Sequence, residues 1–96
     1  MRHIFIVTYD ICHPKRLRKV FKTMKGFGTH LQLSVFQCDL TARDRVEMLA
    51  VLADIINHRE DQVLILDLGP SEGRPVKGVE HLGKPVELVQ RGATIV

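Results

Sequence analysis

The 96-residue sequence predicts one domain of the α+β class. Three observations point there. Apolar runs of strand length are separated by two segments of helical period. The run at residues 29–40 changes phase midway, as two antiparallel strands joined by a very tight turn would. Proline, glycine and capping residues fall between these segments, where elements have to end.

Taken in order, residues 3–9 (HIFIVTY) are nearly all apolar and rich in β-branched and aromatic side chains, which suits a central strand. Pro14 fits the first position of a helix, where a missing N–H costs nothing. Leu17, Val20, Phe21 and Met24 then recur at i, i+3, i+4 and i+7, and Gly26-Phe27-Gly28 ends the helix. In residues 29–40 (THLQLSVFQCDL), Leu31, Leu33 and Val35 share one phase while Phe36, Cys38 and Leu40 share the other. That places a bulge or hairpin near Ser34. Thr41 and Asp44 have the spacing of a capping box. A second helix follows, with Val46, Leu49, Ala50, Ala53 and Ile56 as its expected apolar stripe. Residues 62–68 (QVLILDL) form another strand, closed by Gly69-Pro70.

The order is βαββαβ, the ferredoxin-like arrangement, with strand order 4-1-3-2 in an antiparallel sheet and two helices on one face. Residues 1–70 form this core. From Gly69 onward the chain holds three of its four prolines and five of its seven glycines. The tail, residues 71–96, cannot make a core of its own. It is expected to add an extra C-terminal strand to a sheet edge, that of a partner copy.

Composition narrows the function. A hydrophobic fraction of 45% and a charged fraction of 26% exclude a disordered chain. With no Trp, one Tyr and four Phe, extensive stacking on bases is not expected. The net charge of +3 conceals an asymmetry: residues 1–40 carry seven Lys/Arg against two Asp, and residues 41–96 carry seven against nine acids. Basic charge concentrated in one segment suits a polyanion such as nucleic acid, although it also suits a solvated helix face. Cys12 and Cys38 lack CxxC spacing and are expected to be reduced thiols in a cytoplasm. The histidines show no zinc-ligand spacing, and no segment approaches the length needed to span a bilayer, so no membrane partner is expected.

One carboxylate stands apart. Asp10 closes the first strand, and a helix rich in Lys15, Arg16, Arg18, Lys19, Lys22 and Lys25 follows it, with no acid in residues 13–25. The helix N-terminus and these side chains favour phosphate. In the predicted topology Asp39 and Asp67 lie at the far end of the sheet, so Asp10 has no strand-borne carboxylate beside it. A hard cation such as Mg²⁺ wants one or two carboxylates plus water and phosphate. A two-fold dimer that brings Asp10 next to its own copy would supply the second. Tyr9, Ser34, Phe36 and the arginines fall in the same neighbourhood. The alternatives are plain ones: Asp10 satisfying backbone donors before the helix, Tyr9 and Phe36 packing, Ser34 serving as a turn residue, His13 marking the helix entry.

Taken together, VTYDI, KRLRKV, the glycine after the first helix, LQLSVFQCDL, the second amphipathic helix and the apolar strand resemble the CRISPR-associated protein 2 family, in order through most of residues 3–69. The resemblance implies a homodimer in which two Asp10 residues face each other and bind Mg²⁺. It implies metal-dependent cleavage of RNA or double-stranded DNA, within the machinery that acquires new spacers. It implies a further role as a bridge between copies of CRISPR-associated protein 1, the integrase. By position, Asp10 is the implied metal ligand and catalytic residue, and Tyr9 its supporting catalytic neighbour. Lys15, Arg16, Arg18 and Lys19, with Ser34 and Phe36 of the SVF motif, are the implied nucleic-acid contacts. His30 stands where a basic residue is common, and Gln37 where glutamate is frequent. The alternatives to an endonuclease are a non-catalytic DNA-binding scaffold and a toxin-like ribonuclease of related fold.

Overall fold

The computed structural model describes residues 1–71 and 80–84, and its six elements follow the expected order. They are β1 (Arg2–Asp10), α1 (Pro14–Lys25), β2 (Gly28–Gln32), β3 (Val35–Thr41), α2 (Ala42–Ile55) and β4 (Gln62–Pro70). The strands pair antiparallel in the order β2-β3-β1-β4, which is the ferredoxin-like order. On β1 the odd residues Phe5, Val7 and Tyr9 join Val20 and Met24 of α1 and Met48 and Leu52 of α2 in one buried cluster. Both helices therefore cover the same face.

Local signals explain where the elements start and stop. Pro14 opens α1 as expected, and His13 caps it, its Nδ1 accepting the Lys15 N–H at 3.1 Å. Thr41 and Asp44 form the reciprocal capping box of α2. The phase change near Ser34 resolves into a hairpin whose turn is Leu33-Ser34, with a shift in register between His30 and Gln32. Gly28 begins β2 opposite Cys38 rather than only ending α1. A Cβ there would lie 2.5 Å from the Cys38 Sγ, so only glycine allows this close strand approach.

The helical stripe expected in α2 needs correction. Met48 and Leu52 are the buried residues, Ile55 and the expected Ile56 pack beside them and Leu49 is half-buried, while Val46 is 60% exposed and Ala50 and Ala53 face outward. Two overlapping patterns of helical spacing compete in this segment. The one containing Met48, Leu52 and Ile55 carries the larger side chains, so turning it inward removes more apolar surface from water.

The other face of the sheet has no helix. It carries the even residues of β1, from Ile4 to Asp10, and the alternate residues Leu64, Leu66 and Leu68 of β4, which are 47%, 48% and 53% exposed. Among the described residues no helix is long and apolar enough to cross a membrane. The expected tail strand, residues 71–96, falls outside the described residues except at its first residue and at residues 80–84. Ser71 is buried, and its N–H donates to the Arg2 carbonyl at 3.0 Å.

Candidate functional site

Asp10 is the last residue of β1 and lies opposite Gln62 of β4. Strand alternation puts its side chain on the helix-free face, at the end of the row that contains Ile6 and, across the register, Leu64 and Leu66. It is exposed, and among the described residues nothing hydrogen-bonds or ion-pairs with its carboxylate. An unengaged carboxylate beside exposed leucines is an unusual neighbour for an apolar surface.

The duty of satisfying backbone donors before the helix falls not to Asp10 but to a residue the sequence did not single out. Asp61, just before β4, has a side chain with 0% exposure. Its carboxylate accepts the N–H of Cys12 at 2.9 Å and of Asn57 at 2.8 Å, and the Arg16 Nε and Nη2 at 2.8 and 3.3 Å. Arg16 also donates to Glu60 at 3.1 Å. The hydrogen bond from Arg16, followed by those from the two backbone amides, holds the Asp61 carboxyl well below the usual carboxylate range, and the same bond raises the guanidinium of Arg16. This knot ties the loop after α2 to the loop after Asp10. Its partners lie 45 residues apart in sequence, so no local pattern announces it.

The expected site residues divide accordingly. Lys15, Arg18 and Lys19 are exposed on α1, joined by Lys22. Arg16 is given another task, since its side chain is only 23% exposed and its Nε and Nη2 point to carboxylates. Phe36 has 0% exposure and so presents no surface to a base; it lies under Tyr9, with ring centroids 6.3 Å apart. Ser34 meets the end of β1 through its carbonyl, which accepts the Tyr9 N–H at 3.1 Å. Tyr9 itself is buried on the helix face, opposite to Asp10, and burial pushes its phenol up to about 12. It is joined to Asp10 through the backbone, and its ring belongs to the core.

The far end of the sheet is occupied differently. Asp39 lies opposite Ile4, and Asp67 lies opposite Phe5, as the topology requires. His3 Nδ1 is 2.9 Å from Asp67 Oδ1, and this contact, ahead of the Gly69 N–H, holds the Asp67 carboxyl below its ordinary value. A cavity of about 490 Å³ opens there, lined in part by His3, Arg45 and Asp67. Among the described residues, no three His, Cys, Asp or Glu side chains cluster in a way that could hold a metal. One chain thus offers Asp10 as a single hard oxygen donor of the kind that Mg²⁺ takes together with water and phosphate.

Comparisons with known proteins agree with this architecture. The family model described as CRISPR associated protein Cas2 matches residues 1–73. A protein of Geobacter sulfurreducens named CRISPR-associated endoribonuclease Cas2 is 51% identical over 96 residues, covering 100% of both chains. One from Rhodospirillum rubrum, named CRISPR-associated endoribonuclease Cas2 1, is 50% identical over 94 residues, covering 98% of this chain and 91% of its own. The crystal structure of Streptococcus pyogenes Cas2 at pH 6.5 superimposes with a TM-score of 0.71 at 34% identity, covering 83% of this chain and 99% of that one. A family match over most of the chain, with relatives half identical along nearly its whole length, is decisive: this chain belongs to the CRISPR-associated Cas2 family.

Proposed function

We propose that this chain is a Mg²⁺-dependent endonuclease that hydrolyses phosphodiester bonds as a homodimer, within the spacer-acquisition machinery of a CRISPR system. The observation that carries it is the position of Asp10: an unengaged carboxylate at the rim of a helix-free sheet face whose leucines are about half exposed. Pairing two such faces about a two-fold axis would bury Leu64, Leu66 and Leu68 and bring the two Asp10 side chains into one locality. Two carboxylates close together repel unless a cation or a proton is shared. Mg²⁺ held there would neutralise phosphate charge and activate a water for attack on phosphorus.

The chain's own groups do the rest. Lys15, Arg18 and Lys19, with Lys22, hold the phosphate backbone along α1. The Ser34 carbonyl and the buried Tyr9–Phe36 stack keep the end of β1 in place. The names of the two relatives, both endoribonucleases, favour RNA over double-stranded DNA as the cleaved substrate. Cys12 and Cys38 are not joined in a disulfide, which suits a reducing cytoplasm.

A second reading has its own support. The exposed lysines of α1 lie on the helix side of the sheet and Asp10 on the other, so duplex DNA could bind along α1 without meeting a carboxylate. In that case the chain is a scaffold that holds DNA for CRISPR-associated protein 1. The deciding experiment compares wild type with Asp10→Ala, measuring cleavage of RNA and duplex DNA with Mg²⁺ and with chelator, and duplex binding beside it. Loss of at least about 100-fold in Mg²⁺-dependent cleavage with binding intact is expected of a metal ligand in the reaction. Equal cleavage by both proteins, or none by either while both bind DNA, leaves the scaffold.

A further inference from the structure

The turn between β2 and β3 is built on a residue poorly suited to it. Leu33 has φ +30°, the one positive value among the described non-glycine residues. It is also 85% exposed, so its side chain contributes no packing that would hold it there. Hairpins of this kind usually place Gly, Asn or Asp at such a position. Something else must keep the turn in shape.

The side chain that does so is His30. Its Nε2 lies 2.8 Å from the Leu33 carbonyl oxygen. A carbonyl can only accept, so Nε2 carries the hydrogen. The ring is held on two sides, edge-on against Phe21 with centroids 5.0 Å apart and tilted against Phe36 at 4.9 Å. The Lys25 Nζ lies over the Phe21 ring, 5.3 Å from its centroid. The next residue, Ser34, gives its carbonyl to the Tyr9 N–H at 3.1 Å, and Tyr9 immediately precedes Asp10. A continuous path thus runs from the His30 ring through Leu33 and Ser34 to the backbone that carries Asp10.

We propose that His30 is a positioning residue, a strut that holds the Leu33-Ser34 turn so that the Ser34 carbonyl fixes the end of β1 and, with it, the direction of the Asp10 carboxylate. This gives the imidazole its task in this chain: an N–H donor at fixed reach, on a ring that packs against Phe21 and Phe36. Its consequence for cleavage rests on the endonuclease reading above. Its consequence for the turn does not.

The test uses His30→Phe, which keeps a ring and removes the donor, and His30→Gln, whose amide nitrogen reaches as far from Cα as Nε2 does. Each is made alone, and His30→Phe is also made together with Leu33→Gly. Amide hydrogen exchange at Tyr9 reports the Ser34 contact, and Mg²⁺-dependent cleavage reports Asp10. In His30→Phe, Tyr9 exchange is expected to rise about tenfold or more as the turn opens locally. Its kcat should fall about tenfold, with KM changed less than about twofold, because the fault lies in aim and not in substrate binding. His30→Gln should recover most of both. Adding Leu33→Gly to His30→Phe should also recover them, since glycine takes a positive φ without a strut. Unchanged Tyr9 exchange in His30→Phe, or no recovery with either Gln or the added glycine, overturns the proposal. If wild type does not cleave, the endonuclease reading fails by itself, and Tyr9 exchange alone then decides the strut in the same way.

Discussion

The two faces of this sheet follow opposite rules. The helix face is closed: Val7, Val20, Met24, Phe36, Cys38 and Met48 are all at 0% exposure, and even the phenol of Tyr9 is drawn into it. The other face leaves Leu64, Leu66 and Leu68 about half exposed and ends in a carboxylate with no partner among the described residues. The closed face makes the fold. The open face is apolar, and its charge lies at the rim, where the proposed covering copy would still leave access. Alternation alone thus puts the core residues of β1 on one side of the strand and Asp10, the proposed metal ligand, on the other.

The largest effect should come from breaking the closed face. Phe36→Ala removes a fully buried ring that contacts Tyr9, Phe21 and His30, and should cost about 3–5 kcal/mol in urea unfolding. Leu66→Lys on the open face should change the unfolding free energy of a single chain by only about 0.5 kcal/mol, because its side chain is already half in water. What it should change is association: if copies pair through this face as proposed, wild type sediments as a dimer and Leu66→Lys as a monomer. A dimer that survives Leu66→Lys would show that copies do not meet through this face, and would remove the second Asp10 from the site.

A smaller effect separates the two carboxylates near the start of α1. Asp61 is buried and held ionised by Arg16 and two amides, so its folded pKa is depressed. A depressed carboxylate stabilises the fold above its unfolded value, near 3.8, and that stability is lost as pH falls through and below it. Wild type should therefore lose thermal stability from about pH 5 downward. Asp61→Asn should be less stable at pH 7, because Arg16 is left facing an amide, and should show a flatter acid limb. An equally steep limb in both proteins would move the acid sensitivity away from this knot.

What could be read in advance follows the range of the interactions. Pro14 at the head of α1, the Thr41–Asp44 capping box and the phase change at Ser34 are each decided within a few residues, and each stands where the pattern placed it. The strand order followed, and with it the placing of Asp39 and Asp67 at the opposite end from Asp10. The inward edge of α2 did not, because two apolar stripes overlap there and only packing against β3 and α1 chooses between them. The Arg16–Asp61 knot lies 45 residues apart in sequence and carries no local mark. The task of His30 was hidden in a different way: its bond spans only three residues, but the need for it arises from one backbone angle at Leu33. Alternation, applied to Tyr9 and Asp10 as neighbours on one strand, already implies that their side chains part.

That parting has a measurable sign at high pH. Burial raises the Tyr9 phenol from 10.0 to about 12, so between those values an unfolded chain ionises at this residue while a folded one does not. The stability Tyr9 contributes is fully present below about pH 10 and is drained as pH rises towards 12. Tyr9→Phe keeps the ring on Phe36 and removes the titrating group. Its melting temperature should match wild type closely at pH 7 and exceed it increasingly above pH 10. Cleavage at neutral pH should change less than about twofold, since the hydroxyl lies across the sheet from Asp10. A large loss of cleavage in Tyr9→Phe with stability unchanged would mean that the phenol reaches the substrate after all, and that the face closed in the single chain opens when nucleic acid binds.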